Sequence, residues 1–332
     1  MQSSSVSNFT DPYQYAAAIR GADVTVVPTV RGDFHAEITR IGFPQQLSAS
    51  RFYQSSPTIR VTAMRSWMAA IGFLTESNQP AMRYGGVDLS SDEIIVHAPE
   101  MSIHCRTSAE CRYGTMSLPP DDLAATARTL TGRDILPHAD TYCIRPSPHH
   151  LARLRRLHSA AGSLAATALE ASLDPEATRS LEEALRHAMI MCMTDGERIE
   201  TCRRDRHHTR LLARLEEFLA THYDRPVYLS EICAATNASE RTVRACCHEH
   251  LGMGPVRYLW LRRMHLARNA LLLASEGGAT VTSIAMAHGF WELGRFSVTY
   301  RGLFGETPLA SLRRPPDDAP ASQSFHALPV FA

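Results

Sequence analysis

Between residues 24 and 118, apolar and polar positions alternate in short runs; beyond Pro119 the apolar positions return every three to four residues. Alternation is the mark of strands, whose side chains point to opposite faces, and the longer period marks helices burying one stripe. Val24–Pro28, His35–Ile41, Thr58–Met64, Trp67–Leu74, Ile94–His97 and Tyr113–Leu118 are the candidate strands, rich in Thr, Val and Ile. Turn residues punctuate them, as in Gly85–Gly86–Val87–Asp88–Leu89–Ser90. Many short strands with such turns predict a sandwich or a partly open barrel. The first twenty residues read as a ragged entry or a short helix over Tyr13–Arg20.

Three helices are expected next. Pro120–Leu130 carries Asp121 and Asp122 in its first turn, where the helix dipole favours acids. His149–Leu164 and Pro175–Met193 have leucine-rich stripes that either cap the sheet or form a dimer contact, capping being the default. The polar stretch Thr194–His208, with Asp195–Gly196, reads as the connection. The expected organisation is therefore multidomain α+β. A β-barrel or sandwich with following helices spans 1–200 (strands about 24–118, helices about 120–193), a linker 201–208, an all-α domain 209–314 and a flexible tail 315–332.

Within 209–314 one pattern occurs twice. Arg210–Thr221 is an amphipathic helix; Leu229–Thr236 and Glu240–Leu251 flank a tight stretch at Asn237–Ala238–Ser239. Ser239 is a good N-cap, and Asn237 tolerates the left-handed backbone that a sharp interhelical turn needs. In the second copy a helix starting at Thr280 or Thr282 ends at Gly289, a C-terminal cap, and another runs over Glu292–Leu303. The copies close on Leu251–Gly252–Met253–Gly254–Pro255 and Phe304–Gly305–Glu306–Thr307–Pro308, with 53 residues between Gly252 and Gly305. A long helix beginning at Pro255 joins them. Ile232, Cys233, Val243 and Cys247 form the expected core of the first copy, and Ile284, Ala285, Gly289, Phe290, Phe296, Tyr300 and Pro308 that of the second. A single helix-turn-helix pattern is weak evidence; two in order, alike in layout and joined by a helix, are strong evidence of DNA binding.

Charge modifies this picture. The net charge is zero, with 34 basic and 34 acidic residues, yet Cys202–Arg314 holds 16 arginines against 10 acids. The modest positive excess favours a phosphate-facing module attached to something else. No lysine occurs anywhere, so each cationic contact must come from arginine or histidine; a genome rich in G and C would have the same effect. The eight cysteines form no Cys-x-x-Cys pair and suggest neither a disulfide framework nor a zinc ribbon. With no leader-like start and no long apolar run, the reduced cytoplasm is the expected location and no membrane association is expected.

The signature HGFWELGRFSVTYRGLFGETP at 288–308, preceded by LRRMHLARNALLL at 261–273 and LSEICAATNASERTVRACCHEHLGMGP at 229–255, resembles the AraC/XylS family of transcriptional regulators. Ile284–Ala285, Gly289–Phe290, the aromatics Phe296 and Tyr300, and Gly305-x-x-Pro308 match the family's pattern. Three positions depart from it: Gly294 stands where serine is common, Val298 where arginine is common, and Cys247 at a usual core phenylalanine. The N-terminal region is similar by position and texture to the cupin-like sensory domains of that family. The resemblance implies a sequence-specific regulator, an activator answering to a small-molecule effector, acting as a homodimer on double-stranded DNA and engaging RNA polymerase.

A recognition helix presents its outer face, mostly near its N-terminus, to the major groove. The expected base readers are Arg241, Arg244 and His248 in the first copy, and Glu292, Arg295 and Thr299 in the second. The fork of Arg241, Arg244 or Arg295 matches guanine O6 and N7. Arg257, Arg262 and Arg301 are candidates for phosphate contacts, with Arg263 and Arg268 on the same basic helix. Trp291 either touches DNA or covers its own core. No cofactor is expected, and no nucleophile elbow, phosphate loop or dinucleotide fingerprint is present. Two alternatives carry less weight: a metal-responsive regulator using His97, His104, Cys105 and Cys111, whose imidazoles and thiols suit zinc or copper, and an enzyme with a fused DNA-binding module.

Overall fold

The computed structural model describes residues 4–64, 68–97, 102–133, 135, 141–167, 174–199, 203–222, 225–274 and 279–314. In chain order, the first part contains β1 (Ser5–Phe9), α1 (Pro12–Ala18), β2 (Ala22–Pro28), β3 (Ala36–Gly42), β4 (Ser48–Gln54), β5 (Thr58–Met64), β6 (Ala69–Leu74), β7 (Met82–Tyr84), β8 (Val87–Leu89), β9 (Ile94–His97), β10 (Ser102–Arg106) and β11 (Cys111–Leu118). Next come α2 (Pro120–Thr131), β12 (Tyr142–Arg145), α3 (Pro148–Thr167), α4 (Pro175–Thr194) and β13 (Glu197–Ile199). The remainder is helical: α5 (Arg203–Thr221), α6 (Leu229–Thr236), α7 (Glu240–Leu251), α8 (Pro255–Leu273), α9 (Val281–Ala287), α10 (Leu293–Phe304) and α11 (Pro308–Leu312).

The strands form two antiparallel sheets, one ordered β1-β3-β4-β11-β6-β9-β12-β13 and the other β2-β5-β10-β7-β8. The six expected strands are present; β4 and β10, short of Val and Ile, and the brief β1, β7, β8, β12 and β13 are additions. The outer face of the larger sheet is apolar, through Ile41, Ala49, Ile71, Phe73, Ile94 and Val96, and the stripes of α3 and α4 pack on it with Leu151, Leu154, Leu185 and Met189. Capping the sheet is thus the role of that helical pair, and dimerisation is not needed to explain its stripes. Glu182 is fully buried in α4 because its carboxylate accepts the backbone N–H groups of Gln45 (2.9 Å) and Leu47 (3.2 Å) and pairs with Arg186.

One boundary differs from expectation. The segment 201–208, read as a linker, is helical from Arg203 onward, and His208 is buried. A helix is favourable here because both sides supply partners for its polar side chains: Thr209 donates to the Gly85 carbonyl of the β domain (2.9 Å), and His208 Nδ1 lies 3.0 Å from Glu249 of α7. The tail 315–332 lies outside the described residues.

Candidate DNA interface and effector cavity

Both helix-turn-helix units are built as their residues dictate. Ser239 accepts the Thr242 N–H at 3.2 Å to start α7, and Asn237 takes the left-handed conformation, φ 50°, at the turn. Thr280 starts α9 by accepting the Ser283 N–H at 3.0 Å, and Gly289 follows its end at φ 76°. Ile232, Val243 and Cys247 are buried in the first core, with Cys233 partly so. Ile284, Ala285, Phe296 and Tyr300 fill the second, with Phe290 packed against them. Tyr300 bonds the buried Ser311 hydroxyl at 2.7 Å, and Pro308 is buried at the start of α11. Cys247 fits where the family favours phenylalanine because Tyr258 and Leu259 from α8 enter the same core.

The outer faces carry the expected readers. Arg241, Arg244 and His248 are exposed on α7; Glu292 and Arg295 are exposed at the start of α10, with Thr299 half-buried one turn on. Arg244 Nε donates to Glu240 at 2.8 Å, an exposed i,i+4 pair of the sort that contributes little and opens readily. Arg295 approaches Glu292 only to 3.9 Å. Trp291 is 68 % exposed, so it does not cover the core.

The α8 arginines separate. Arg257 is exposed, as is Arg301 on α10. Arg262 is half-buried and donates to the Leu219 carbonyl at 3.1 Å, so one of its nitrogens is already engaged. Arg263 lies over the Phe290 ring. Arg268 is buried, bonded to Asp11 (2.8 Å) and Glu306 (3.3 Å), and is unavailable to phosphate. A helix face that looks uniformly basic in sequence is divided by what packs on it.

The β domain touches the first unit directly. Ile59 of β5 lies within that unit's core. His104 of β10 reaches across to Glu216 of α5 (Nε2 to Oε1, 3.4 Å), which also accepts the Tyr258 hydroxyl at 2.6 Å. Burial pushes the Glu216 carboxyl up, but the contacts from His104 and Tyr258 outweigh it and hold it below the usual range. Arg83 meets Glu249 at 3.4 Å.

Behind this contact, between the two sheets, is a cavity of about 420 Å³. Ile38, Phe52, Met82, Tyr84 and Tyr113 supply much of its apolar wall. Arg60 of β5 points into it while Ile59 and Val61 point away, as the strand period requires. Tyr84 Oη is 3.2 Å from His97 Nδ1, and burial, with Arg60 nearby, pushes the imidazole down to about 4. Sequence reasoning passed over Arg60, although an arginine flanked by Ile59 and Val61 within an apolar strand is a legible signal.

The alternative metal set does not assemble. His104 and Cys105 are neighbours on β10 and face opposite ways, His104 toward Glu216 and Cys105 toward Arg60. Among the described residues, the ligand atoms that do converge, within 4.8 Å of one another, belong to His208, Cys246 and His250, all buried. Two are already engaged in the joint: His208 with Glu249, and the Cys246 thiol with the His208 carbonyl at 3.4 Å.

No helix among the described residues is long and apolar enough to cross a membrane. Residues 232–314 match the family described as a helix-turn-helix domain. The "Probable thc operon regulatory protein" of Rhodococcus erythropolis is 33 % identical over 100 residues, 30 % of each chain. The XylDLEGF operon transcriptional activator of Pseudomonas putida is 31 % identical over 101 residues, 30 % of this chain and 32 % of that one. Among solved structures, a probable AraC family transcriptional regulator from Rhodopseudomonas palustris is 30 % identical, with 32 % of this chain and 98 % of that chain covered, at a TM-score of 0.29. The matched part spans about a third of the length of these curated relatives, which are regulators rather than enzymes. With the signature at 288–308 and the geometry above, the C-terminal domain of this chain belongs to the AraC/XylS helix-turn-helix family.

Proposed function

We propose that the chain is a sequence-specific DNA-binding regulator of transcription, an activator whose β domain senses a small molecule. One observation carries the reading: two complete helix-turn-helix units, braced by the shared helix α8, each present an uncommitted or weakly paired arginine on the outer face of the second helix. Arg241, Arg244 and Arg295 are the base readers, assisted by His248, Glu292 and Thr299; Arg257 and Arg301 hold the phosphates, with Arg262 contributing its remaining donors. Activation is supported by the named role of the Pseudomonas putida relative. RNA polymerase is then a partner, and a homodimer would place two such modules on repeated half-sites.

The cavity supports the sensory role. Its wall strand β5 turns Arg60 and Thr62 to the interior and Ile59 to the first unit, so an occupant is one sheet's thickness from the DNA-binding domain. An effector that favours one arrangement of this joint shifts the population of DNA-competent molecules by its differential affinity. Selection of binding sites from random duplexes by the full chain is the test. A defined motif that weakens when Arg244 or Arg295 is replaced is expected; equal retention of every sequence would overturn the proposal.

A further inference from the structure

The cavity in the β domain holds a charge imbalance. Arg20, Arg40 and Arg60 line it, and no aspartate or glutamate is among its described lining residues. Arg20 is exposed and Arg40 half-buried, but Arg60 is 6 % exposed and sits among neutral groups. Its guanidinium lies over the Tyr113 ring, 4.4 Å from the centroid, donates to the Tyr113 hydroxyl, and approaches the Cys105 thiol at 3.6 Å. Burial pushes both the Tyr113 phenol and the Cys105 thiol up, so neither supplies a negative charge. The Arg60 Nε has no hydrogen-bond partner among the described residues. Proteins retain a buried cation when something pairs with it, and arginine cannot shed its proton to escape the cost.

We propose that this cavity takes a small organic carboxylate with an apolar body, its carboxylate held by Arg60 and its body against Phe52, Tyr84, Met82 and Ile38. The inference rests on the effector reading above and gives the effector its chemical class. A single planar fork in an apolar wall matches one carboxylate, two parallel N–H···O bonds to two oxygens. A phosphoryl dianion brings more charge and a third oxygen, which one buried guanidinium does not satisfy. Arg20 and Arg40 add positive potential that raises the local concentration of anions. The volume suits a ligand of modest size, in the range of small-molecule sites. Arg60 pairs with Cys105 across β5 and β10, and the preceding residue of each strand, Ile59 and His104, contacts the first helix-turn-helix unit. The carboxylate thus bears on β5 through Arg60, and on β10 only through the Arg60–Cys105 contact, and these are the two strands on which that unit rests.

The experiment compares molecules of one skeleton on the full chain. Calorimetric titrations would use 3-phenylpropionate, 3-phenylpropan-1-ol and 3-phenylpropylamine, then octanoate and octan-1-ol. At least one acid is expected to bind ten times or more tightly than its alcohol, and the amine not at all. Arg60→Gln should remove the advantage of acid over alcohol, while Arg60→Lys should keep part of it. The proposal is overturned if neither acid binds at millimolar concentration, if alcohol or amine equals the acid, or if Arg60→Gln leaves the advantage intact. Should Arg60→Gln not fold, as judged by circular dichroism, the acid-to-alcohol ratio of the unaltered chain decides. Duplex selection is run in parallel. A defined motif without acid binding removes the ligand class and spares the regulator; acid binding without a motif does the reverse.

Discussion

Ile59 of the β domain sits inside the core of the first helix-turn-helix unit, whereas the described core of the second is built from α8 to α11 alone. The second unit instead faces the β domain across a groove of about 410 Å³, bordered by Phe34, His35, Phe304 and Glu306. Contact there runs through α8: Arg268 to Asp11, and His265 packed between Tyr13 and Phe304. Two copies of one motif therefore have different neighbours. Both units turn arginines outward, but the first also shares its core with the β domain, while the second is tied to that domain through α8. A tandem of equal motifs can be attached unequally in this way without any difference in local fold.

Acid should separate the two regions most strongly. His97 and His158 inside the β domain are each pushed down to about 4, chiefly by burial, and His265 at the joint to about 3. The unfolded chain takes up these protons first, at about pH 6.5, so stability falls as pH drops from there toward 4. Each of His97 and His158 accounts for a loss on the order of 3 kcal/mol. Thermal melts from pH 7 to pH 4 check this, and a flat melting temperature would contradict the burial assigned to these rings.

Glu216→Ala attacks the contact of the first unit alone. It deprives the Tyr258 hydroxyl of its acceptor, at a cost of about 1–3 kcal/mol for the group left unpaired, and removes the carboxylate that faces His104. Hydrogen exchange should rise in α5 and α7 and remain unchanged in α10. Equal loosening of α10 would show that the two units respond together.

On DNA, Arg244→Ala and Arg295→Ala should each relax discrimination at one or two base pairs by about 1–3 kcal/mol, read by competition among variant sites. Uniform weakening, with a shallower salt dependence, would reassign the residue to the phosphates.

Equivalent glycines give a smaller and sharper contrast. Gly252 and Gly305 end the two recognition helices at φ 71° and 76°. A Cβ at Gly252 would come within 2.2 Å of the Arg106 guanidinium of the β domain, while nothing lies within 4 Å of one at Gly305. Alanine should cost about 1–2 kcal/mol at either position from the backbone alone, and more at 252, where Arg106 must withdraw. Gly294, inside α10 with open space around it, gives the smallest effect and the opposite sign: Gly294→Ala should stabilise by about 0.5–1 kcal/mol in urea titrations.

Local chemistry made the C-terminal domain legible. Ser239, Asn237, Thr280 and Gly289 act on their nearest neighbours, and a helical stripe repeats over enough turns to be read without knowing its partner. The outward positions followed from the same period, which turns Arg241, Arg244 and Arg295 to solvent while Val243 and Phe296 are buried. The β domain was legible only in outline. β4 is held by its place between β3 and β11 rather than by its composition, and the linker is helical because distant residues satisfy it.

What the sequence by itself determined is the pair of helix-turn-helix units, their caps, their apolar faces and the side chains they turn outward, all set by interactions within a few residues. What only the tertiary structure decided is which charges are available. Arg268 is used up by Asp11, 257 residues away, while Arg60 enters a cavity with no acid to meet it. Arginine reads the same wherever it stands in a sequence; its role depends on desolvation and on the nearest opposite charge, and both are set by parts of the chain that only folding brings together.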